Sequence, residues 1–138
     1  DVNLGSAFNL CGHAINGMQA RAFGRVVNIS SVSGQTGNFG QTNYAAAKAG
    51  LHGFTMSLAR EVATKGITVN SVSPGYIRTA MTGAMPVEIQ EKITAAIPAG
   101  RMGQPDDIAR AVVFLSDDAA GYITGANLPV NGGLFMSF

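Results

Sequence analysis

The sequence has little charge of either sign. Aspartate, glutamate, lysine and arginine make up 12% of its 138 residues, whereas an average domain has roughly 25%. Disordered chains combine high charge with low hydrophobicity, and this chain is 46% hydrophobic, so its composition excludes disorder. The net charge is +1 and no basic cluster occurs. The sequence therefore predicts no nucleic-acid partner, because phosphate backbones bind basic surfaces.

Cysteine and long apolar runs are also scarce. A single cysteine cannot form an internal disulfide, which favours a reducing compartment and predicts a cytoplasmic protein. The apolar runs fall far short of the roughly 20 residues that span a membrane, so no membrane association is predicted. No spacing of ligating side chains predicts a metal site. The chain starts at Asp1 and its length predicts one domain, so we expect residues 1–138 to form a single partial domain.

The sequence does contain β-branched runs that alternate with helical patterns. The spacing of apolar residues predicts helices over 4–21, 42–65, 87–97 and 105–115, strands over 25–31, 67–73 and 127–130, and irregular segments over 32–41 and 76–86. Strands that alternate with helices of this length form parallel sheets. Pro129 has no N–H group, so it predicts an edge position or a bulge in the third strand.

Small polar residues follow the first two predicted strands, at 30–31 and 73–75. Ligands of open parallel sheets bind at the carboxyl ends of the strands, but serine and glycine also simply end strands. Tyr44 and Lys48 are more informative, because their i, i+4 spacing places both on one face of a helix. An ammonium group stabilises a nearby phenolate, so a tyrosine in this setting can exchange a proton near neutral pH.

The string NYAAAKAG over 43–50 resembles the active-site helix of the short-chain dehydrogenase/reductase family. Further matches occur in the same order along the chain: Asn3 opens the preceding helix, Ser31 lies 13 residues before Tyr44, and NSVSPG occupies 70–75. The resemblance covers nearly the whole chain. It implies an α/β fold with a doubly wound parallel sheet of the Rossmann type, present here as its C-terminal half, and an oxidoreductase activity.

The resemblance implies a role for each matching residue. Ser31 would hydrogen-bond the carbonyl oxygen of the substrate, and Tyr44 would give that oxygen a proton. Lys48 would favour the phenolate form of Tyr44 and bind the ribose of a nicotinamide cofactor, and Asn3 would hold a water that connects Lys48 to solvent. The implied catalytic residues are Asn3, Ser31, Tyr44 and Lys48, and the implied cofactor-binding residues are Tyr44, Lys48, Pro74, Gly75, Ile77 and Thr79.

Three further strings are similar to the acetoacetyl-CoA reductase branch of the family: GNFGQTNY over 37–44, GLHGFTM over 50–56 and NGGL over 131–134. This similarity implies NADPH-dependent reduction of acetoacetyl-CoA to 3-hydroxybutyryl-CoA, a step of polyhydroxybutyrate synthesis. The implied substrate-binding residues are Ser31, Asn38, Phe39, Gln41 and Tyr76. The family also implies a homotetramer built through the helices over 4–21 and 42–65.

Two other functions stay open at this point. The 3-oxoacyl-[acyl-carrier-protein] reductases of fatty-acid synthesis share much of the same pattern. A non-catalytic fragment or an oligomerising module would keep the helices without the cofactor half. The complete set of four implied catalytic residues argues against this last alternative.

The sequence departs from the family in two segments. The Gly-rich cofactor fingerprint T-G-x-x-x-G-x-G is absent, and TGNFG over 36–40 lies in the wrong place and lacks the later glycine. The residue that selects NADPH or NADH would belong to the same missing half, so we expect the 138-residue chain alone to bind cofactor weakly and to be inactive. The usual lid motif T-D-M reads TAM over 79–81, and no basic residue lies between Arg78 and Lys92. His52, one turn after the active-site lysine, is predicted to be a packing or inter-subunit residue.

Overall fold

The helices and strands lie close to their predicted positions. A computed structural model of the chain describes residues 2–137. In chain order the elements are α1 (Val2–Arg21), β1 (Gly24–Ile29), α2 (Val32–Thr36), α3 (Thr42–Val62), β2 (Ile67–Pro74), α4 (Ala80–Gly83), α5 (Val87–Ala96), α6 (Pro105–Ser116) and β3 (Asn127–Val130). Short 3-10 turns, Ala63–Lys65 and Asp118–Ala120, follow α3 and α6.

The strands in this part of the chain form one parallel sheet in the order β1-β2-β3. Val26 pairs with Val69 between β1 and β2, and Ser73 pairs with Pro129 between β2 and β3. The predicted parallel α/β arrangement is therefore confirmed. β3 lies at an edge of the described sheet, where a proline leaves no ladder hydrogen bond unmade, so the edge interpretation of Pro129 is confirmed too.

Helices cover both faces of this sheet. Successive side chains of a strand point to opposite faces, and β2 supplies an apolar residue to each. Val69 packs with Val62 of α3 and with α1 on one face, whereas Val72 packs with Leu115 of α6 on the other. Such two-sided covering is the Rossmann-type architecture that the sequence predicts. None of the helices within residues 2–137 is long and apolar enough to cross a bilayer.

Two segments predicted to be irregular contain short helices, so the prediction was wrong over α2 and α4. Each helix begins at a hydroxyl that caps its free N–H groups. The Ser31 hydroxyl accepts a hydrogen bond from the backbone N–H of Ser33 at 3.2 Å, and the Thr79 hydroxyl accepts one from the backbone N–H of Thr82 at 3.3 Å. Capping satisfies donors that short Gly- and Ser-rich segments otherwise expose to water, and this lets helical turns form there.

Small residues allow α2 to lie directly on α3. A Cβ atom added to Gly34 would come within 2.8 Å of the backbone carbon of Lys48 and 3.0 Å of the backbone nitrogen of Ala49. Only a residue without a side chain fits at such a distance. The close approach matters because Ser31 caps α2 and Tyr44 lies in the first turns of α3. Gly34 therefore brings the two elements that carry these side chains together.

Candidate active site

The carboxyl ends of β1 and β2, the start of α3 and the helix α5 surround a cleft of about 700 Å³. Six residues that the sequence predicts for catalysis, cofactor binding or substrate binding line it: Ser31, Asn38, Gln41, Tyr44, Gly75 and Tyr76. The structure thus brings predicted residues from four separate segments to one place. The opposite wall comes from α5 and its neighbours, with Met85, Lys92, Ile93 and Ala96. For this wall the sequence indicates only Met85, whose thioether suits a pocket lining as well as ordinary packing, and a covered face of α5, from the amphipathic pattern over 87–97.

Ser31 is oriented by the helix that it caps. Its side-chain oxygen accepts the backbone N–H of Ser33, so the hydrogen of the hydroxyl remains available for donation. Tyr44 lies on the same cleft, and its side chain is partly exposed there. A serine and a tyrosine, two residues with hydroxyl donors, therefore line one cleft.

Lys48 is anchored to the sheet beside Tyr44. Its Nζ donates a hydrogen bond to the carbonyl oxygen of Ile29, at the end of β1, over 3.1 Å. The same Nζ lies 5.6 Å from the centroid of the Tyr44 ring. An ammonium group has three N–H donors, so two remain for other partners. The ammonium group therefore stands beside the Tyr44 ring.

Asn3 and Lys48 both line a second cavity, which lies beside α1. This cavity has a volume of about 340 Å³, and both residues line it together with Ile29. Asn3 lies in the first turn of α1, where its backbone carbonyl accepts a hydrogen bond from the Ser6 hydroxyl at 2.9 Å. A cavity of this size is large enough for several waters. Asn3 and Lys48 are therefore placed where a water can connect them.

The predicted substrate-binding residues divide into two groups. Asn38 donates its amide to Oε1 of Gln41 at 3.0 Å, and the Ser33 hydroxyl donates to the same oxygen at 3.4 Å. These bonds fix the orientation of the Gln41 amide in the cleft wall. Phe39 is fully exposed and does not line the cleft. The reason is local, because Gly37 and Gly40 both adopt positive φ angles and turn the loop outward between α2 and α3.

The predicted cofactor-binding residues after β2 follow one extended path. Pro74 ends the strand, and Gly75 lines the cleft while its N–H donates to the carbonyl of Val130 at 2.9 Å. Ile77 forms a bridge with Gly103, and the hydroxyl of Thr79 caps α4. Ile77 and Thr79 do not line the cleft itself. They lie on the segment that leaves the sheet beside it.

The fold and the site together define a Rossmann-type α/β chain with serine, tyrosine and lysine at the carboxyl ends of its strands. A family model described as "Enoyl-(Acyl carrier protein) reductase" matches residues 1–135. The chain is 61% identical over 136 residues to the acetoacetyl-CoA reductase of Allochromatium vinosum, covering 99% of this chain and 55% of that protein. It is 57% identical over 136 residues to the acetoacetyl-CoA reductase of Cupriavidus necator, again with 99% and 55% covered.

A relative of different name is nearly as similar. The chain is 53% identical over 137 residues to the 3-oxoacyl-[acyl-carrier-protein] reductase FabG of Pseudomonas aeruginosa, covering 99% of this chain and 56% of that protein. The chain belongs to the short-chain dehydrogenase/reductase family, as its motifs indicate. It spans about half the length of the curated relatives it matches.

Proposed function

We propose that the full-length protein carrying this chain reduces a 3-oxoacyl thioester, acetoacetyl-CoA, to the 3-hydroxy product with NADPH. One observation carries the proposal: Ser31 and Tyr44 line the same cleft as Asn38, Gln41 and Tyr76. The hydroxyl groups that act on a ketone and the residues suited to an acyl chain therefore share one site. The product, 3-hydroxybutyryl-CoA, is a precursor for polyhydroxybutyrate.

The residues present fit a nicotinamide cofactor. Lys48 keeps two N–H donors after its bond to Ile29, and these suit the two hydroxyl groups of a ribose. Tyr44 and Gly75 line the cleft where the nicotinamide end would lie, and Pro74, Ile77 and Thr79 continue along the adjoining segment. The bound cofactor supplies the hydride. The choice of NADPH over NADH rests on the resemblance to acetoacetyl-CoA reductases.

The side chains of this chain supply the proton and the orientation. The Ser31 hydroxyl donates a hydrogen bond to the ketone oxygen and holds the carbonyl in place. As the carbonyl carbon takes up hydride, the oxygen takes the phenolic proton of Tyr44, so that C=O becomes CH–OH. Lys48 stabilises the phenolate that remains. A water between Asn3 and Lys48 then provides the route by which the proton is replaced.

A thioester of acyl-carrier protein is the second candidate substrate. The 53% identity to FabG of P. aeruginosa favours it, whereas the 61% and 57% identities to two acetoacetyl-CoA reductases favour the coenzyme A thioester. Both candidates require the same ketone chemistry and differ only in the carrier that presents the acyl group.

NADPH consumption by the full-length protein tests the proposal. We expect rapid oxidation of NADPH with acetoacetyl-CoA and slower oxidation with the acetoacetyl thioester of acyl-carrier protein. The reverse ranking would transfer the proposal to the second candidate. A folded protein that binds NADPH and reduces neither thioester would contradict both.

We further propose a cytoplasmic homotetramer that uses the outer faces of α1 and α3. Phe8 of α1 is exposed in the single chain. Its ring contacts Phe54 of α3 edge-on, with centroids 6.2 Å apart, so the two helices present an aromatic pair on one outer surface. Exposed apolar surfaces of this kind are typical of subunit contacts. Light scattering on the full-length protein should give four chains, and Phe8→Glu should give fewer.

A further inference from the structure

A cluster of polar side chains lies beneath the active site, between α3 and the sheet. We call Ser30, His52, Ser71, Ser73 and Asn127 the strand-end network. Nε2 of His52 lies 2.7 Å from the hydroxyl oxygen of Ser30 and 3.4 Å from that of Ser73. Its three serines are buried and its asparagine is half-buried. The network therefore joins the catalytic helix to the ends of all three strands.

The direction of each hydrogen bond follows from counting hydrogens. The Ser30 hydroxyl donates to the backbone carbonyl of Lys48 at 2.9 Å. The Ser71 and Ser73 hydroxyls both donate to Oδ1 of Asn127, at 2.9 and 2.7 Å. A serine has one hydroxyl hydrogen, so with these donations made Ser30 and Ser73 accept from the histidine. Nε2 of His52 therefore carries the ring hydrogen and shares it between two strands.

The charge state of the imidazole agrees with this assignment. Burial lowers the pKa of His52, since a low-dielectric surrounding disfavours the charged form. The ring is accordingly neutral at physiological pH and has a single N–H group. That N–H is the one committed to Ser30 and Ser73.

The two serines that this N–H contacts are next in sequence to residues proposed for catalysis and cofactor binding. Ser30 precedes Ser31 and also holds the carbonyl of Lys48, and Ser73 precedes Pro74 and Gly75. His52 lies one helical turn beyond Lys48. The positions of the β1 end, the β2 end and the catalytic helix thus depend on one imidazole.

We infer that His52 is a positioning residue, whose Nε2–H holds the strand ends that carry Ser31 and Gly75 in register with Tyr44 and Lys48 on α3. This inference rests on the proposed ketone reduction. A displacement of about 1 Å in such a site costs on the order of a hundredfold in rate. Loss of the N–H should therefore act on turnover more than on binding.

Two substitutions in the full-length protein separate this role from packing. His52→Leu fills the space but removes the N–H, and we expect kcat to fall roughly tenfold to a hundredfold, with little change in KM or in NADPH binding. His52→Gln keeps a side-chain N–H at similar reach and should recover most of kcat. A His52→Leu enzyme that is folded and as fast as wild type would overturn the inference, as would a His52→Gln enzyme as slow as His52→Leu.

A double substitution checks that the effect runs through the strand end. Ser30→Ala removes the acceptor, so its kcat should fall as well. The two changes share the bond between His52 and Ser30, but each also removes a bond of its own, to Ser73 and to the Lys48 carbonyl. The combined variant should therefore be slower than either single variant but faster than the product of the two losses. Multiplicative losses would show that the two residues act separately and would overturn the inference.

Nuclear magnetic resonance provides a readout that does not require turnover. The imidazole of His52 should show hydrogen on Nε2 and none on Nδ1, and the backbone N–H signals of Ser31 and Gly75 should shift in His52→Leu but little in His52→Gln. A hydrogen on Nδ1, or unchanged signals in His52→Leu, would refute the positioning role. If these signals behave as expected while the wild type reduces neither thioester, only the proposed function fails.

Discussion

The two ends of the sheet differ sharply on the face that α3 covers. Near the amino ends of the strands, Ile67 and Val69 pack against Ala59 and Val62 of α3 in an apolar cluster. Near the carboxyl ends, the same face carries the strand-end network, with serines in place of the aliphatic residues. The change takes place within one strand, between positions 69 and 71.

The helix follows the same gradient as the strands. From its C-terminal end, α3 places first apolar residues, then Thr55, then His52 and Lys48 against the sheet. The bond from the Asn28 amide to the Thr55 hydroxyl, 3.0 Å long and buried, marks the border. Apolar contacts stabilise without regard to direction, whereas hydrogen bonds fix geometry. The apolar contacts at the amino ends of the strands therefore contribute stability, whereas the hydrogen bonds at the carboxyl ends position the reacting groups. Substitutions at the two ends should therefore affect different properties, namely the free energy of unfolding and kcat.

The largest effect on kcat is expected at Tyr44, beside the carboxyl ends of the strands. Tyr44→Phe removes the proton donor, so kcat for NADPH-dependent reduction should fall by about 10²–10⁴-fold. The side chain is partly exposed, and the thermal midpoint should hardly change. Steady-state kinetics and thermal unfolding of the full-length protein measure both. Turnover near that of wild type would refute the assigned role of Tyr44.

The apolar end should show the opposite behaviour. Ile67 is buried in the apolar cluster, and Ile67→Ala should lower the free energy of unfolding by about 2–5 kcal/mol. The kcat of the folded enzyme should stay near the wild-type value, because no reacting group moves. Denaturant titration and kinetics on one preparation make the comparison. A large loss of kcat without a loss of stability would contradict the claim that the apolar end affects stability alone.

Gly34 should affect both properties. The Cβ of Gly34→Ala would meet the backbone of Lys48 at 2.8 Å, and such overpacking costs about 1–3 kcal/mol. Since α2 must move away from α3, Ser31 should also move and kcat should fall. Gly53→Ala in α3 is the matched control, because apart from its chain neighbours and the backbone of its own helix no described atom lies within 4 Å of the added carbon. Equal behaviour of the two variants would contradict the close-packing argument.

The smallest effect is expected at the hydrogen bond between Asn28 and Thr55, where the apolar and polar ends of the face adjoin. Thr55→Val keeps the volume but leaves the buried Asn28 amide without its hydroxyl acceptor. The loss should be about 1 kcal/mol in the free energy of unfolding. Thr55→Ser keeps the hydroxyl and should recover the hydrogen bond. If urea titration showed valine to be as stable as threonine, the bond would contribute nothing to the fold.

The sequence predicts the long helices and the strands well, but it predicts the polar residues at the carboxyl ends of the strands only in part. Periodicity places the long helices and the strands, the i, i+4 spacing pairs Tyr44 with Lys48, and the family resemblance adds Ser31. The helix α2 was missed because the cap at Ser31 outweighs a glycine-rich composition. The outward turn of Phe39 depends on two positive φ angles, at Gly37 and Gly40, which the loop composition allows but does not specify.

The role of His52 lay beyond local patterns for another reason. Its position one turn after Lys48 predicted a packing or inter-subunit residue, and the structure places it in contact with the sheet. The network, however, depends on the register of three strands and on the residues at their ends. Those partners lie 21 and 22 positions away along the chain, at Ser73 and Ser30. No window of neighbouring residues contains that information.

Tyr44 and Lys48 open onto different spaces, the cleft and the cavity beneath α1. In the proposed reaction each turnover consumes one proton, and the thioester occupies the cleft while it is consumed. In the proposed mechanism the proton that replaces this one reaches Tyr44 through Asn3 and Lys48, from the side of α1, rather than through the cleft that the thioester occupies. In this arrangement Tyr44 can regain its proton while product or substrate still occupies the cleft.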